Sequence, residues 1–158
     1  MRSFQLLTCL AFLAVNLPAS AEAPGAAPVV VSSSTAPMHG ILNGKGSATL
    51  LHNASTGSKE ASLSVLVLQG GAEVPEHVHE TSVELLYVEE GRVEMVVGGK
   101  AVSASAGDAI RIPAGVKHSA RVPPGNSAAR AVQVYVGPGP EQRFTAGPRL
   151  NPPPMPGK

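Results

Sequence analysis

The chain has 158 residues, enough for one domain of ordinary size and too few for two. It is 43% hydrophobic and 15% charged, and its 17 Gly and 15 Pro stop short of the share that marks a disordered chain. A formal net charge of +1 offers nothing to attract nucleic acid or an anionic membrane surface, so neither is expected as a partner.

Residues 1–21 read as a secretory signal peptide. Arg2 is the single positive charge, 4–17 is an apolar run, and Ala19-Ser20-Ala21 is a small-residue cleavage site. The run is shorter than the roughly 20 residues a membrane span needs, so no membrane association is expected once it is removed. A lone arginine fits the general secretory route, which implies a periplasmic or secreted protein. The single Cys, Cys9, leaves with the signal, which excludes disulfides, Cys-based zinc sites and a Cys nucleophile. The mature chain is then balanced in charge. Residues 22–38, rich in Ala, Pro and Ser, read as a flexible leader, and 148–158 as a Pro-rich disordered tail. The ordered domain is expected at 39–147.

Within it, short apolar runs are broken by Gly, Pro and Asn. Strands are expected at 48–52, 62–68, 74–79, 84–88, 92–97, 100–103, 109–112, 118–122 and 131–136. Gly98-Gly99 between VEMVV and KAVSA is a two-residue hairpin signal. No long window has helical periodicity with caps, so the spacing predicts an all-β, antiparallel sandwich or barrel. There is no Trp, with 3 Phe and 2 Tyr, so the core must be aliphatic.

His77 and His79 lie two apart in EHVHE, and on a strand both imidazoles share a face. Glu84 opens the following strand, and His118 follows the rigid Pro113-Ala114-Gly115 corner. Three imidazoles and a carboxylate suit a divalent transition metal with positions left for water or a ligand. Alone, an H-x-H pair is a common solvated strand face. The full spacing is more specific: Gly71, His77, His79, Glu84 and Gly91, then Gly107, Pro113, Gly115 and His118.

That pattern closely resembles the two motifs of the cupin superfamily, G(X)5HXH(X)3,4E(X)6G and G(X)5PXG(X)2H(X)3N, in its small single-domain form. GAEVPEHVHETSVELLYVEEG matches the first throughout; GDAIRIPAGVKHSARV matches the second except that Val122 stands where the motif has Asn. The resemblance implies an antiparallel jelly-roll barrel with one metal ion (Zn, Cu, Ni, Mn or Fe) inside it. His77, His79, Glu84 and His118 match the family's ligand positions, and the departure at Val122 bears on a turn rather than on the ligand set. A homodimer is also implied, and the apolar strand at 62–68 needs cover on both faces. Export constrains the metal: a site filled outside the cytoplasm takes Zn, Cu, Ni or Mn at least as readily as Fe.

One fold hosts many functions, so the reaction stays open. A metal-dependent dioxygenase, isomerase, lyase or decarboxylase acting on a small organic molecule is one reading. A non-catalytic extracytoplasmic module binding a metal or small ligand is the other, with an assembly subunit a weaker third. No catalytic acid or base can be assigned. Glu73 and Glu76 read as solvated rim charges, and Arg111 and Lys117 carry no phosphate-loop context. On the last strand Gln133 and Tyr135 share one face and Val132, Val134 and Val136 the other, with the polar face expected outward. Tyr87 has parity opposite to Glu84 and points away from the cluster. His39 and His52 are expected at the surface.

Overall fold

The computed structural model describes residues 29–137 and 139–151. The signal segment, residues 22–28 of the leader and residues 152–158 of the tail lie outside the described residues. The eleven strands are β1 (Met38–Ile41), β2 (Gly46–His52), β3 (Ala61–Leu68), β4 (Glu73–His77), β5 (Val83–Glu90), β6 (Arg92–Val97), β7 (Lys100–Ser105), β8 (Ala109–Ile112), β9 (His118–Arg121), β10 (Ala129–Val136) and β11 (Arg149–Leu150). They form a seven-stranded sheet, β11-β1-β2-β3-β10-β5-β8, and a four-stranded sheet, β4-β9-β6-β7, with every pairing antiparallel. This is the jelly-roll arrangement. Among the described residues no helix is long and apolar enough to cross a membrane.

Period-two alternation explains how each strand is seated. On β5, Glu84, Leu86 and Val88 are buried while Leu85 and Tyr87 are exposed. Tyr87 thus faces away from Glu84, as its parity predicts. The main core joins the two sheets through Leu68, Leu86, Val88, Val93, Met95 and Ile112. Each such side chain contributes about 1.5–3 kcal/mol by leaving water. A smaller cluster of Ala48, Leu50, Tyr135 and Phe144 closes the other end. The expected Gly98-Gly99 hairpin forms, with Val97 paired to Lys100.

Val122 is 1% exposed within the main core, and its backbone ties down the turn before β4. Gly71 N donates to Val122 O (2.8 Å) and Val122 N donates to Ala72 O (3.0 Å). Here an apolar side chain and two main-chain bonds hold a turn at a position where the motif has a polar residue.

The sheet extends past the expected bounds of 39–147 at both ends. Met38 pairs with Leu150 and His39 with Arg149, and Ala36 is buried. Composition hides these strands because each is short and follows a proline, Pro37 or Pro148. The surface expectation for His39 is corrected: it is buried at this seam, with Nδ1 3.1 Å from Gly147 O. The strand expected at 74–79 ends at His77, after a register irregularity between Val74 and His77.

Candidate metal centre

Three strands and the loop that follows β4 deliver the cluster. His77 ends β4 and pairs across the ladder with His118, which opens β9. His79 lies two residues beyond β4, and Glu84 is the second residue of β5. One ligand atom from each of the four lies within 4.8 Å of the others. Ring centroids are 4.9 Å apart for His77–His79, 4.2 Å for His77–His118 and 5.1 Å for His79–His118.

The backbone fixes how two of these rings are presented. His77 Nδ1 is 2.8 Å from Pro75 O, and His118 Nδ1 is 2.8 Å from Val116 O. A carbonyl can only accept, so Nδ1 carries a proton in each ring and Nε2 is turned to the centre; His77 Nε2 is left without a partner there, whereas His118 Nε2 faces Glu84 and must give up a proton to bind a metal. His118 Nε2 is 3.1 Å from Glu84 Oε2. His79 Nε2 comes within 3.3 Å of the same oxygen, out of line for a hydrogen bond. Among the described residues, His77 Nε2 and His79 Nε2 are buried with no hydrogen-bond partner. Buried polar atoms are rarely left so, because each unsatisfied group costs about 1–3 kcal/mol. A divalent cation among the three Nε2 atoms and Glu84 Oε2 would satisfy them all, so the residues present fit a metal.

Charge is arranged to match. Burial raises the Glu84 carboxyl, but contacts from His118, His79 and Gln133 outweigh it and hold the pKa at about 2, so the side chain is an anion. Burial lowers His77, outweighing the bond to Pro75 O, which favours the neutral imidazole a metal needs. For His118 burial also acts downward, but Glu84 and Val116 O prevail and raise it.

The outward expectation for Gln133 and Tyr135 is corrected. Both are buried, at 1% and 0% exposed, and face the cluster. Gln133 Nε2 donates to Glu84 Oε1 (2.6 Å) and to Tyr135 Oη (2.9 Å), while Ser64 Oγ donates to Gln133 Oε1 (3.3 Å). The Tyr135 ring lies 4.8 Å from that of His79, and burial followed by the charge of Glu84 pushes its phenol pKa up. These partners come from three strands, so the polar face is satisfied inside and the valine face turns outward. Arg143, in the 3-10 turn Pro140–Ala146, completes the chain by donating from Nη2 to Tyr135 Oη (3.0 Å). No feature of the sequence near Arg143 marked it.

Glu73 and Glu76 stay at the exposed rim, where Glu76 meets Lys117 at 3.7 Å. Arg111 is exposed, and His52 is half-buried at the end of β2, with Nδ1 3.4 Å from Thr56 Oγ1. The cluster opens into a cavity of about 720 Å³, within the size range of small-molecule sites. Its walls are mainly aliphatic, including Leu66, Leu68, Leu86 and Met95, with Phe144 at the plugged end.

Comparison with known proteins agrees with this geometry. The family described as Cupin domain matches residues 64–135, a span holding all four cluster residues. No curated protein matches the chain. Among solved structures, the chain is similar to a predicted oxalate decarboxylase from Thermotoga maritima, with 26% identity and a TM-score of 0.62 over 68% of this chain and 98% of that one. It also resembles an RmlC-like cupin from Shewanella frigidimarina, at 22% identity and a TM-score of 0.61 over 74% and 96% of the two chains. A third likeness is to the polyketide cyclase RemF from Streptomyces resistomycificus, at 22% identity and a TM-score of 0.62 over 79% and 85%. The two likenesses at 22% identity bear on the fold alone. The jelly roll, the match over residues 64–135 and the gathered His and Glu residues show a cupin domain with a group able to bind a metal within this chain.

Proposed function

We propose that the mature chain is an exported metalloprotein that binds one divalent transition metal through His77, His79, Glu84 and His118 and receives a small organic molecule in the adjoining cavity. The observation that carries this reading is the convergence of two buried, unpartnered Nε2 atoms on an ionised carboxylate. Bound there, the metal would supply Lewis acidity or redox chemistry to a ligand at its open positions. The chain's own part is to hold the ligand atoms, orient Glu84 through Gln133, and keep bulk water out with aliphatic walls. Export rests on the signal-like residues 1–21, and it favours Zn, Cu, Ni or Mn at least as much as Fe.

A second reading, a non-catalytic binding module, is favoured by one feature. Among the described residues lining the cavity, the titratable side chains are His77, Glu84, His118 and Arg143. None outside the ligand set can take up and release a proton near neutral pH, so catalysis there would rely on water or on groups of the substrate. The likeness, at 26% identity, to a protein named as a predicted oxalate decarboxylase keeps the enzymatic reading first.

Elemental analysis of the protein isolated from its native compartment tests the metal. We expect about one transition metal per chain, and none in a folded His77→Ala/His118→Ala variant. No metal in either protein contradicts the reading, and mainly iron contradicts the expected preference.

We further propose a homodimer built on the outer face of the seven-stranded sheet. There Leu63, Val134 and Leu85 are cross-strand neighbours, as are Val132 and Tyr87. Tyr87 and Val136 are each 49% exposed. So apolar a sheet face favours association. Light scattering at micromolar concentration is expected to give twice the mass of the mature chain, and a clean monomer contradicts the dimer.

A further inference from the structure

We infer that the cavity takes a carboxylate with an apolar body, its anionic head held by Arg143 beside the metal cluster. This rests on the proposed function above and adds the substrate class. Arg143 is the one cationic side chain among the described residues that line the cavity, sharing it with His77, Glu84 and His118. Arg92, Arg121 and Arg130 are each tied to a surface glutamate, Glu94 or Glu89. Arg143 has no carboxylate within 4.0 Å among the described residues. Its contacts are Tyr135 Oη, which accepts from Nη2 at 3.0 Å, and the Phe144 ring, 5.1 Å from the guanidinium carbon.

Those contacts place the guanidinium without neutralising it. Arg143 lines the cavity but is itself exposed: one of its five N–H groups is used among the described residues, and the others, open to water, form the planar fork that matches a carboxylate. The bonded Tyr135 packs its ring 4.8 Å from that of His79, so the cation stands one aromatic ring away from the cluster. Glu84 is the only carboxylate on the described lining, and it already accepts from Gln133 and faces the histidines. With a divalent metal bound, the cavity is positive overall and selects an anion.

The walls set the rest of the ligand. Leu66, Leu68, Leu86, Val88, Met95 and Phe144 offer no hydrogen bonds to a polar body. A short dianion would leave most of about 720 Å³ to water against hydrocarbon. A medium-length monocarboxylate covers these walls while meeting the single cation.

The test is calorimetric titration of zinc-loaded protein with octanoate, octanol, acetate and octyl phosphate. It uses wild type, Arg143→Gln and Arg143→Lys, with zinc content measured on each sample. We expect octanoate to bind at least about tenfold more tightly than octanol or acetate. Arg143→Gln should lose about tenfold or more for octanoate and leave octanol unchanged, with zinc still at about one per chain. Arg143→Lys should fall between. Failure to bind octanoate, equal affinity for octanol, or an Arg143→Gln protein that holds octanoate as wild type does would each overturn the inference. Tighter binding of octyl phosphate would overturn the carboxylate assignment in favour of a phosphate head. Loss of zinc from the wild type would instead count against the metal reading on which the inference rests.

Discussion

Zinc added to the metal-free protein at about a thousand times its dissociation constant is expected to stabilise the fold by about 4 kcal/mol, from mass action alone. For a domain of this size that raises the melting temperature by roughly 10–15 °C. His77→Ala should abolish most of the rise, because one of the three buried nitrogen donors is gone. The same variant should melt within about 1 kcal/mol of the metal-free wild type, since removing an unpartnered buried nitrogen also removes its desolvation cost. A histidine kept for packing behaves in the opposite way: its removal lowers the metal-free melting point and leaves the response to zinc intact. Scanning calorimetry of the four samples separates the two cases.

Gly91→Ala is expected to be strongly damaging, because a left-handed backbone and a close approach of neighbouring backbone coincide there. Gly91 joins β5 to β6 at φ +74°, and a Cβ there would sit 2.5 Å from Ala128 O and 2.9 Å from Ala129 Cα. The left-handed conformation costs an L-residue about 1–2 kcal/mol, and forcing backbone aside adds about 1–3 kcal/mol. The melting temperature should fall by roughly 10 °C or more. Gly99→Ala provides the control, because its φ of +77° is similar but nothing lies within 4 Å of its Cβ. That variant should lose only about 1–2 kcal/mol. Equal losses in thermal denaturation would show that the close approach to β10 does not matter. The comparison also gives a physical reason for the last glycine of the first motif: β5 must turn into β6 directly beneath the start of β10.

Much of the architecture was legible in the sequence because strand parity and turn residues are local signals. The nine expected strands all form, with bounds shifted by one or two residues, and the four candidate ligands converge. What escaped depends on partners distant in the chain. Parity placed Gln133 and Tyr135 on one face, but not which face is interior. That choice follows from register, which sets Tyr135 opposite Glu84 and Gln133 opposite Ser64. Polar side chains can then face inward because they satisfy one another. β1 and β11 pair through Met38–Leu150 and His39–Arg149, a contact spanning the whole domain that short strands beside prolines do not advertise. Arg143 is hidden for the same reason. It sits in a Pro- and Gly-rich segment beyond the last expected strand, and only the fold brings its guanidinium to Tyr135.

The proposed metal would be held in this barrel by His77, His79, Glu84 and His118. Anomalous scattering from crystals of the metal-loaded protein, collected at the absorption edge of the bound element, tests it most directly. The account predicts one strong peak about 2.0–2.2 Å from Nε2 of His77, His79 and His118 and from a carboxylate oxygen of Glu84. A peak elsewhere, or none at this cluster in protein shown to contain metal, would contradict it.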